Sequence, residues 1–207
     1  MVKNTPILQV RIIFFIAFLL IHPTIQTLKA QEFYVGLKTG YGQSSFEHNG
    51  TSSFELNSKQ FLNIAFTYNY KFSDKYGVNI ETGFSDRGVE IDNSDLDYRL
   101  NLVDLPILLD YYPVPRLRLN IGPEITHLIS AMNKASDGTK ENITERFDKK
   151  WAVNGTFGAN YNISFFLDAG FRYHIPFSTI SESDAVLNTQ KTKSRYFQLY
   201  LLFKIAN

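Results

Sequence analysis

Eight stretches of this chain alternate apolar residues with small or polar ones at a period of two, which commits each to a strand with two unlike faces. The first runs from Phe33 to about Phe46, with Phe33, Val35, Leu37 and Tyr41 opposed by Tyr34, Gly36, Lys38, Gly40 and Gly42. The second, about Gln60 to Phe72, groups Leu62, Ile64, Phe66, Tyr68 and Tyr70 against Asn63, Ala65, Thr67 and Asn69. Six more follow with apolar rows centred on Val78 and Ile80, on Leu105 to Leu109, on Leu119 and Ile121, on Val153 and Phe157, on Leu167 and Phe171, and on Phe197 to Ile205. Pro106 and Pro123 fit the polar face poorly as ladder members and are expected to mark bulges or bends, because proline cannot donate to a strand ladder. No helical period competes with the pattern.

The connections alternate in length. Ser73–Lys75, Pro113–Arg116 and Asn162–Ser164 are short, whereas 47–58, 86–97, 133–150 and 177–194 are long and polar. An even-stranded membrane barrel with both termini in the periplasm has this arrangement, its long loops facing outward. Each stretch also supplies the roughly 9–11 residues that a tilted strand needs to cross hydrocarbon. The expected fold is all-β: an eight-stranded antiparallel up-and-down transmembrane barrel whose first strand seals against its last, since unpaired backbone groups in lipid cost several kcal/mol each.

Residues 1–30 stand apart. Lys3 and Arg11 precede the uninterrupted apolar run Ile12–Ile21, and His22 and Pro23 end it, as in a secretory signal peptide. That run is too short for a spanning helix, which needs about 20 residues. Cleavage is expected after Ala30, within a few residues because Leu28 is bulky for its position, leaving 31–207 as one barrel domain. The mature chain then carries 18 basic against 20 acidic residues and offers no basic surface for nucleic acid. The absence of cysteine excludes disulfides, thiolate metal sites, a catalytic thiol and a lipid anchor on cysteine.

Alternation alone does not say which face is enclosed, and a soluble lipocalin-like barrel is the structural alternative. Two features favour lipid outside. The second face mixes glycine, alanine, asparagine and serine with isolated charges, which suits the cramped interior of a narrow barrel. Aromatic residues also gather at both strand ends: Phe33, Phe72, Tyr76, Tyr111, Tyr112, Tyr161, Phe165 and Phe203 at one, and Tyr41, Phe46, Phe61, Phe84, Trp151, Tyr173, Tyr196 and Phe197 at the other. Two such girdles mark the two membrane interfaces. The expected location is the outer membrane of a Gram-negative bacterium.

The stretch Leu102-Val103-Asp104-Leu105-Pro106-Ile107-Leu108-Leu109-Asp110-Tyr111-Tyr112 resembles a strand of the porin-like (PorT-like) outer-membrane β-barrel family. Leu119-Asn120-Ile121-Gly122-Pro123-Glu124 and Tyr34-Val35-Gly36-Leu37-Lys38-Thr39-Gly40 are similar to two further strands of that family. The resemblance implies an eight-stranded outer-membrane barrel and carries no catalytic or ligand residue. The chain departs from outer-membrane barrels in ending Phe203-Lys204-Ile205-Ala206-Asn207 rather than on an aromatic residue.

Chemistry is sparse. His127 and Ser130 come closest to a hydrolase pair, but their odd spacing sends them to opposite faces, and His127 reads as a headgroup-boundary residue. The stretch 86–97 sets Asp86, Glu90, Asp92, Asp95 and Asp97 against Arg87, without the glycine and terminal glutamate of a calcium loop, and reads as solvated acid. The sequons at Asn49 and Asn142 have meaning only in a eukaryotic secretory route. No metal, cofactor or catalytic residue is expected.

Lys38, Glu81, Asp104, Arg118, Glu124, Asp168, Arg172 and Lys204 all fall on the enclosed face, as a solute pathway or as ion pairs that plug the barrel; an eight-stranded interior, only wide enough for side chains, favours the plug. Three function classes stand. The favoured one is a non-enzymatic surface barrel that presents its loops, chiefly 133–150 and 177–194, or docks with another envelope protein. The others are a narrow porin and an outer-membrane lipid-modifying hydrolase. The expected partners are outer-membrane lipid or lipopolysaccharide, the barrel assembly machinery during insertion, and an envelope or surface protein.

Overall fold

The computed structural model describes residues 32–48, 56–91, 96–135, 139–147, 149–178 and 192–206; the leader expected over 1–30 lies outside them. Nine strands follow in order: β1 Glu32–His48, β2 Leu56–Lys71, β3 Tyr76–Ile91, β4 Leu96–Val114, β5 Leu117–Ala135, β6 Lys140–Asn142, β7 Trp151–Ser164, β8 Leu167–Pro176 and β9 Thr192–Ala206. Eight of them close a barrel in the cyclic order β1-β2-β3-β4-β5-β7-β8-β9, every pair antiparallel. The seam joins β1 to β9 from Gly36↔Lys204 to His48↔Thr192. The short β6 lies against the outer end of β5, followed by a 3-10 turn at Thr144–Arg146.

The period-two pattern becomes a sidedness. Along β2, Leu62 and Phe66 are 68% and 66% exposed, while Phe61, Asn63, Ala65, Thr67 and Asn69 are buried. The other barrel strands repeat this, so the outside carries Ile, Leu, Val, Phe and Tyr, and the fully buried charges lie inside. A soluble protein has the inverse arrangement, since exposed apolar patches beyond a few hundred Å² are rare in water. Hydrocarbon is the solvent that makes the outer face favourable. The rings of Tyr76 and Tyr111, 5.5 Å apart, and of Phe157 and Tyr173, 5.6 Å apart, contribute to the outer belts.

The strands run further than the periodicity predicts. β3 extends to Ile91 and β4 begins at Leu96, so most of the stretch read as an acidic loop is ladder, from Asp86↔Asn101 to Glu90↔Asp97. The first long connection likewise shrinks, with β1 reaching His48 and β2 starting at Leu56. Polar residues hid these extensions because outside the membrane neither face of a strand need be apolar. β8, with 10 residues, just spans, whereas β4 and β5, with 19 each, project well past it.

Three local expectations change. The β7–β8 turn is Phe165–Phe166 rather than Asn162–Ser164: the strand continues to Ser164 through an irregularity at Asn162, whose amide donates to the Ser164 carbonyl at 3.0 Å. Pro106 and Pro123 do not shift the register. The ladder skips from Ile80↔Ile107 to Gly83↔Asp104 and from Pro106↔Glu124 to Leu109↔Ile121, losing hydrogen bonds but keeping alignment. The register shift in that region falls between Asn101 and Leu102, opposite Ile129, and beyond it the inward position on β5 moves to Ala131. By contrast the β2–β3 turn sits where expected, with the Ser73 hydroxyl accepting from the Tyr76 amide at 3.0 Å.

Two aromatic residues assigned to the outer girdle point inward. Phe61 and Tyr196 are buried and meet edge to face at 5.5 Å. Tyr112 also turns in, its hydroxyl donating to Asn69 at 3.1 Å. The seat for Phe61 is made by Gly42, where a Cβ would strike the Phe197 carbonyl oxygen and lie 2.7 Å from Phe61 Cζ. Gly42→Val is therefore expected to overpack this corner and destabilise the barrel by about 1–3 kcal/mol. A lower urea midpoint for loss of the compact band on unheated gels checks this; an unchanged midpoint refutes it.

Candidate functional site

The barrel interior is the candidate site, because the described charges that are fully buried gather there. Alternate residues of each strand supply them, and they stack in three tiers. At the level of the short turns, Arg118 donates to the Tyr34 hydroxyl and to Asp110 at 3.3 Å, and lies 3.8 Å from Asp168. Asp168 also takes Lys204 at 2.8 Å and Asn162 at 2.9 Å, while Asn69 donates to Asp110 at 2.5 Å.

The middle tier centres on Glu81. Arg172 holds its carboxylate with a two-pronged contact of 2.7 and 2.8 Å, and Lys38 donates to the same group. Asn79 adds a bond of 2.8 Å and in turn accepts from Thr67 at 2.6 Å. The Tyr200 ring lies 5.0 Å from Lys38 Nζ and 5.2 Å from the Arg172 guanidinium, and its hydroxyl donates to Asn160 at 2.7 Å. Bidentate and aromatic partners of this kind are how a guanidinium is accommodated away from water.

The third tier joins two carboxylates. Arg87 pairs with Asp104, which also accepts from Ser85 at 2.7 Å and Thr126 at 2.8 Å. Glu124 accepts from Tyr196 at 2.5 Å and Asn154 at 3.0 Å, with His174 Nδ1 2.9 Å away. Arg87 lies 3.8 Å above the Tyr196 ring, whose other face stacks on His174 at 3.7 Å.

Of the eight charges expected inside, the structure groups Lys38, Glu81 and Arg172 as one cluster, Arg118, Asp168 and Lys204 as another, and sets Asp104 against Arg87; Glu124 meets no other member of the eight. The expected set leaves out Arg87, Asp110 and His174 and the four tyrosines 34, 112, 196 and 200 that bind the tiers together, although the alternation itself puts Asp110, His174, Tyr34 and Tyr200 on the enclosed face. Parity could have found Arg87, since Gly77, Asn79, Glu81, Gly83, Ser85 and Arg87 form one odd-numbered row. With these additions the described interior holds Lys38, Arg87, Arg118, Arg172 and Lys204 against Glu81, Asp104, Asp110, Glu124 and Asp168, equal in number.

The two ends differ. Toward the projecting strands, Leu100, Leu102, Leu128, Ala131 and Ile143 are all buried. The segment after β6 is tied down there by Ile143 N–H to the Ala131 carbonyl at 3.0 Å and by Ala131 N–H to Thr144 Oγ1 at 2.9 Å. At the short-turn end a cavity of about 440 Å³ opens below Arg118.

The possible hydrolase pair does not meet. His127 lies on the outer face with its ring 4.1 Å from Trp151, and Ser130 accepts from Asn101 at 2.9 Å. Asp86 pairs across the ladder with Arg99 at 3.2 Å, and Asp92 and Asp95 lie outside the described residues. Among the described residues no group of three His, Asp or Glu side chains is arranged to hold a metal ion.

A model of the family described as outer membrane protein beta-barrel domain matches residues 26–182. Among solved structures, Ail, the attachment invasion locus protein of Yersinia pestis, superposes with a TM-score of 0.52 at 17% identity, in a crystal with the heparin analogue sucrose octasulfate, covering 84% of this chain and 99% of that one. The same protein without that ligand gives 0.51 at 16% identity, with 84% and 99% coverage. The outer membrane protein OprG from Pseudomonas aeruginosa gives 0.49 at 16% identity, covering 86% of this chain and 98% of that one. The comparison with curated proteins found no match. Identities this low carry the fold alone.

Proposed function

This chain belongs to the outer membrane protein β-barrel domain family and lies in the outer membrane of a Gram-negative bacterium; we propose that it serves there as a plugged, non-enzymatic envelope barrel that works through its exposed ends. The observation that carries this reading is the interior itself. Equal numbers of cations and carboxylates, cross-braced by tyrosine and asparagine, fill the lumen, and an apolar lid covers its outer end. Leu102, Leu128 and Ile143 are buried at that end, which supports a blocked lumen over an open pore. The eight charges Lys38, Glu81, Asp104, Arg118, Glu124, Asp168, Arg172 and Lys204 act in this reading as structural pairs rather than as a selectivity filter.

Planar-bilayer recordings with the refolded mature chain are expected to show no unitary steps above leak. Reproducible conductance steps overturn the plug and favour the narrow-porin reading. Unchanged lipid A in cells overproducing the protein is the expected result against the hydrolase reading.

Within the family we place the chain with the porin-like (PorT-like) members, on the strand Leu102–Tyr112. Its partners in this proposal are outer-membrane lipid or lipopolysaccharide around the apolar face, the assembly machinery during insertion, and an envelope or surface protein at the projecting ends of β3, β4 and β5. Removal of the leader belongs to the same proposal. The intact mass of protein purified from outer membranes is expected to begin within a few residues of Gln31; a mass that includes Met1–Ala30 refutes it.

A further inference from the structure

Among the described residues the barrel opens at its short-turn end into a chamber, which in the membrane orientation proposed above faces the periplasm. The chamber of about 440 Å³ falls in the range of small-molecule sites, roughly 300–1,000 Å³. Its charged lining consists of Lys71, Arg116, Arg118 and Lys204 against Glu32 and Asp168, an excess of cations in a space walled by protein. Arg118 and Asn160, register partners on β5 and β7, are among its lining residues. Both residues are more than nine-tenths buried.

The remaining walls favour an organic partner over a bare ion. Tyr34 and Tyr112 present rings to the chamber, each with a cation across it: Lys204 at 5.8 Å and Lys71 at 5.4 Å. Because Tyr34 accepts from Arg118, its own hydroxyl proton is available to donate. Phe165 and Ile205 form an exposed apolar lip.

We propose that this chamber binds small organic carboxylates from the periplasm, the carboxylate set between Lys204 and the Tyr34 hydroxyl and the apolar part against Tyr112 and Phe165. The plug above it makes the site a receptor pocket and not an entrance to a pore. The inference goes beyond the envelope role proposed above and fails independently of it, because a plugged barrel with an inert mouth is still a plugged barrel.

The test titrates the full mature chain, refolded in nanodiscs, with N-acetylphenylalanine and with its neutral amide, read by saturation-transfer NMR. The acid is expected to bind saturably, with the amide roughly tenfold weaker for want of the charge-assisted bonds. Lys204→Gln and Tyr34→Phe are each expected to weaken the acid about fivefold or more while leaving the amide unchanged. Arg118 is left intact because it also holds Asp110 and Tyr34. Retention of the compact band on unheated gels shows that the variants fold; should Lys204→Gln lose it, Tyr34→Phe carries the test alone. Equal binding of acid and amide, no saturable binding, or folded variants that bind the acid like the parent each overturn the proposal.

Discussion

Glu81→Leu is expected to lower the barrel's unfolding free energy by about 3–5 kcal/mol, the range for removing one partner of a buried ion pair. The cause is what stays behind. Lys38 and Arg172 both converge on Glu81, and both are buried. Without the carboxylate, two like charges face each other beside the Tyr200 ring and both lose their hydrogen-bonded anion. The companion experiment separates charge loss from cavity loss. In Lys38→Met, Glu81→Leu, Arg172→Met no uncompensated charge remains, and the triple variant is expected to unfold at a higher urea concentration than Glu81→Leu alone. Replacing a whole buried ion cluster with apolar side chains is often neutral or stabilising. A single variant that unfolds like the parent, or a triple variant less stable than the single one, shows that the middle tier does not hold the barrel together.

The same tier shows what could be read without coordinates. Which side chains turn inward was legible wherever lipid imposes a strict contrast between faces, as along Leu62–Tyr70 and Val103–Tyr111. Parity then delivers Glu81 and Arg172 to the same interior from strands β3 and β8. It does not deliver their pairing. That depends on the stagger of eight strands around the closure, which no local pattern encodes, so Arg172 meeting Glu81 across 91 positions of sequence emerges only when the barrel is shut. Legibility also fades where the membrane ends. Arg87 looked like the base of a solvated loop because its neighbours Asp86 and Glu90 are charged, yet it lies on the odd row of β3 and is buried against Asp104 and Tyr196. Phe61 and Tyr196 were misassigned for a related reason: counting aromatics near strand ends ignores parity, which in both cases had already pointed inward.

The interior also explains how a chain without cysteine or a dry apolar core can be rigid. An enclosed charge is tolerable only if paired, and each tier closes its pairs with groups from at least three strands: β1, β3 and β8 at Glu81, and β1, β4, β5, β8 and β9 around Arg118 and Asp168. Misregistered closure would strand several charges at once. The network therefore selects one stagger of the sheet against its neighbours, a role for buried polar groups distinct from net stabilisation. Below it, the lowest tier is built from the same materials but left open on one side, which is why a binding chamber can exist there and not at the lidded end.

Arginine on the outer face is the sharpest test of which solvent surrounds the barrel. Ile107 is 41% exposed on β4, midway between Tyr111 of one aromatic belt and Val103, whose register partner His127 pairs with Trp151 of the other. It therefore sits near the bilayer midplane. Ile107→Arg is expected to cost about 2–4 kcal/mol when the chain is refolded into lipid vesicles, because a guanidinium at the midplane must drag water inward or deform the bilayer to keep its hydration. Ile163→Arg, at the exposed periplasmic end of β7, is expected to cost only about 0–1 kcal/mol, since the interface hydrates the charge. The difference between the two variants measures depth and not side-chain loss, because both remove an exposed isoleucine. Were the outer face bathed in water, both changes would be nearly silent and Ile107→Arg would if anything raise solubility. Equal urea midpoints for the two variants in vesicles would therefore remove the lipid from the outside of this sheet, and with it the reason for the barrel to be closed.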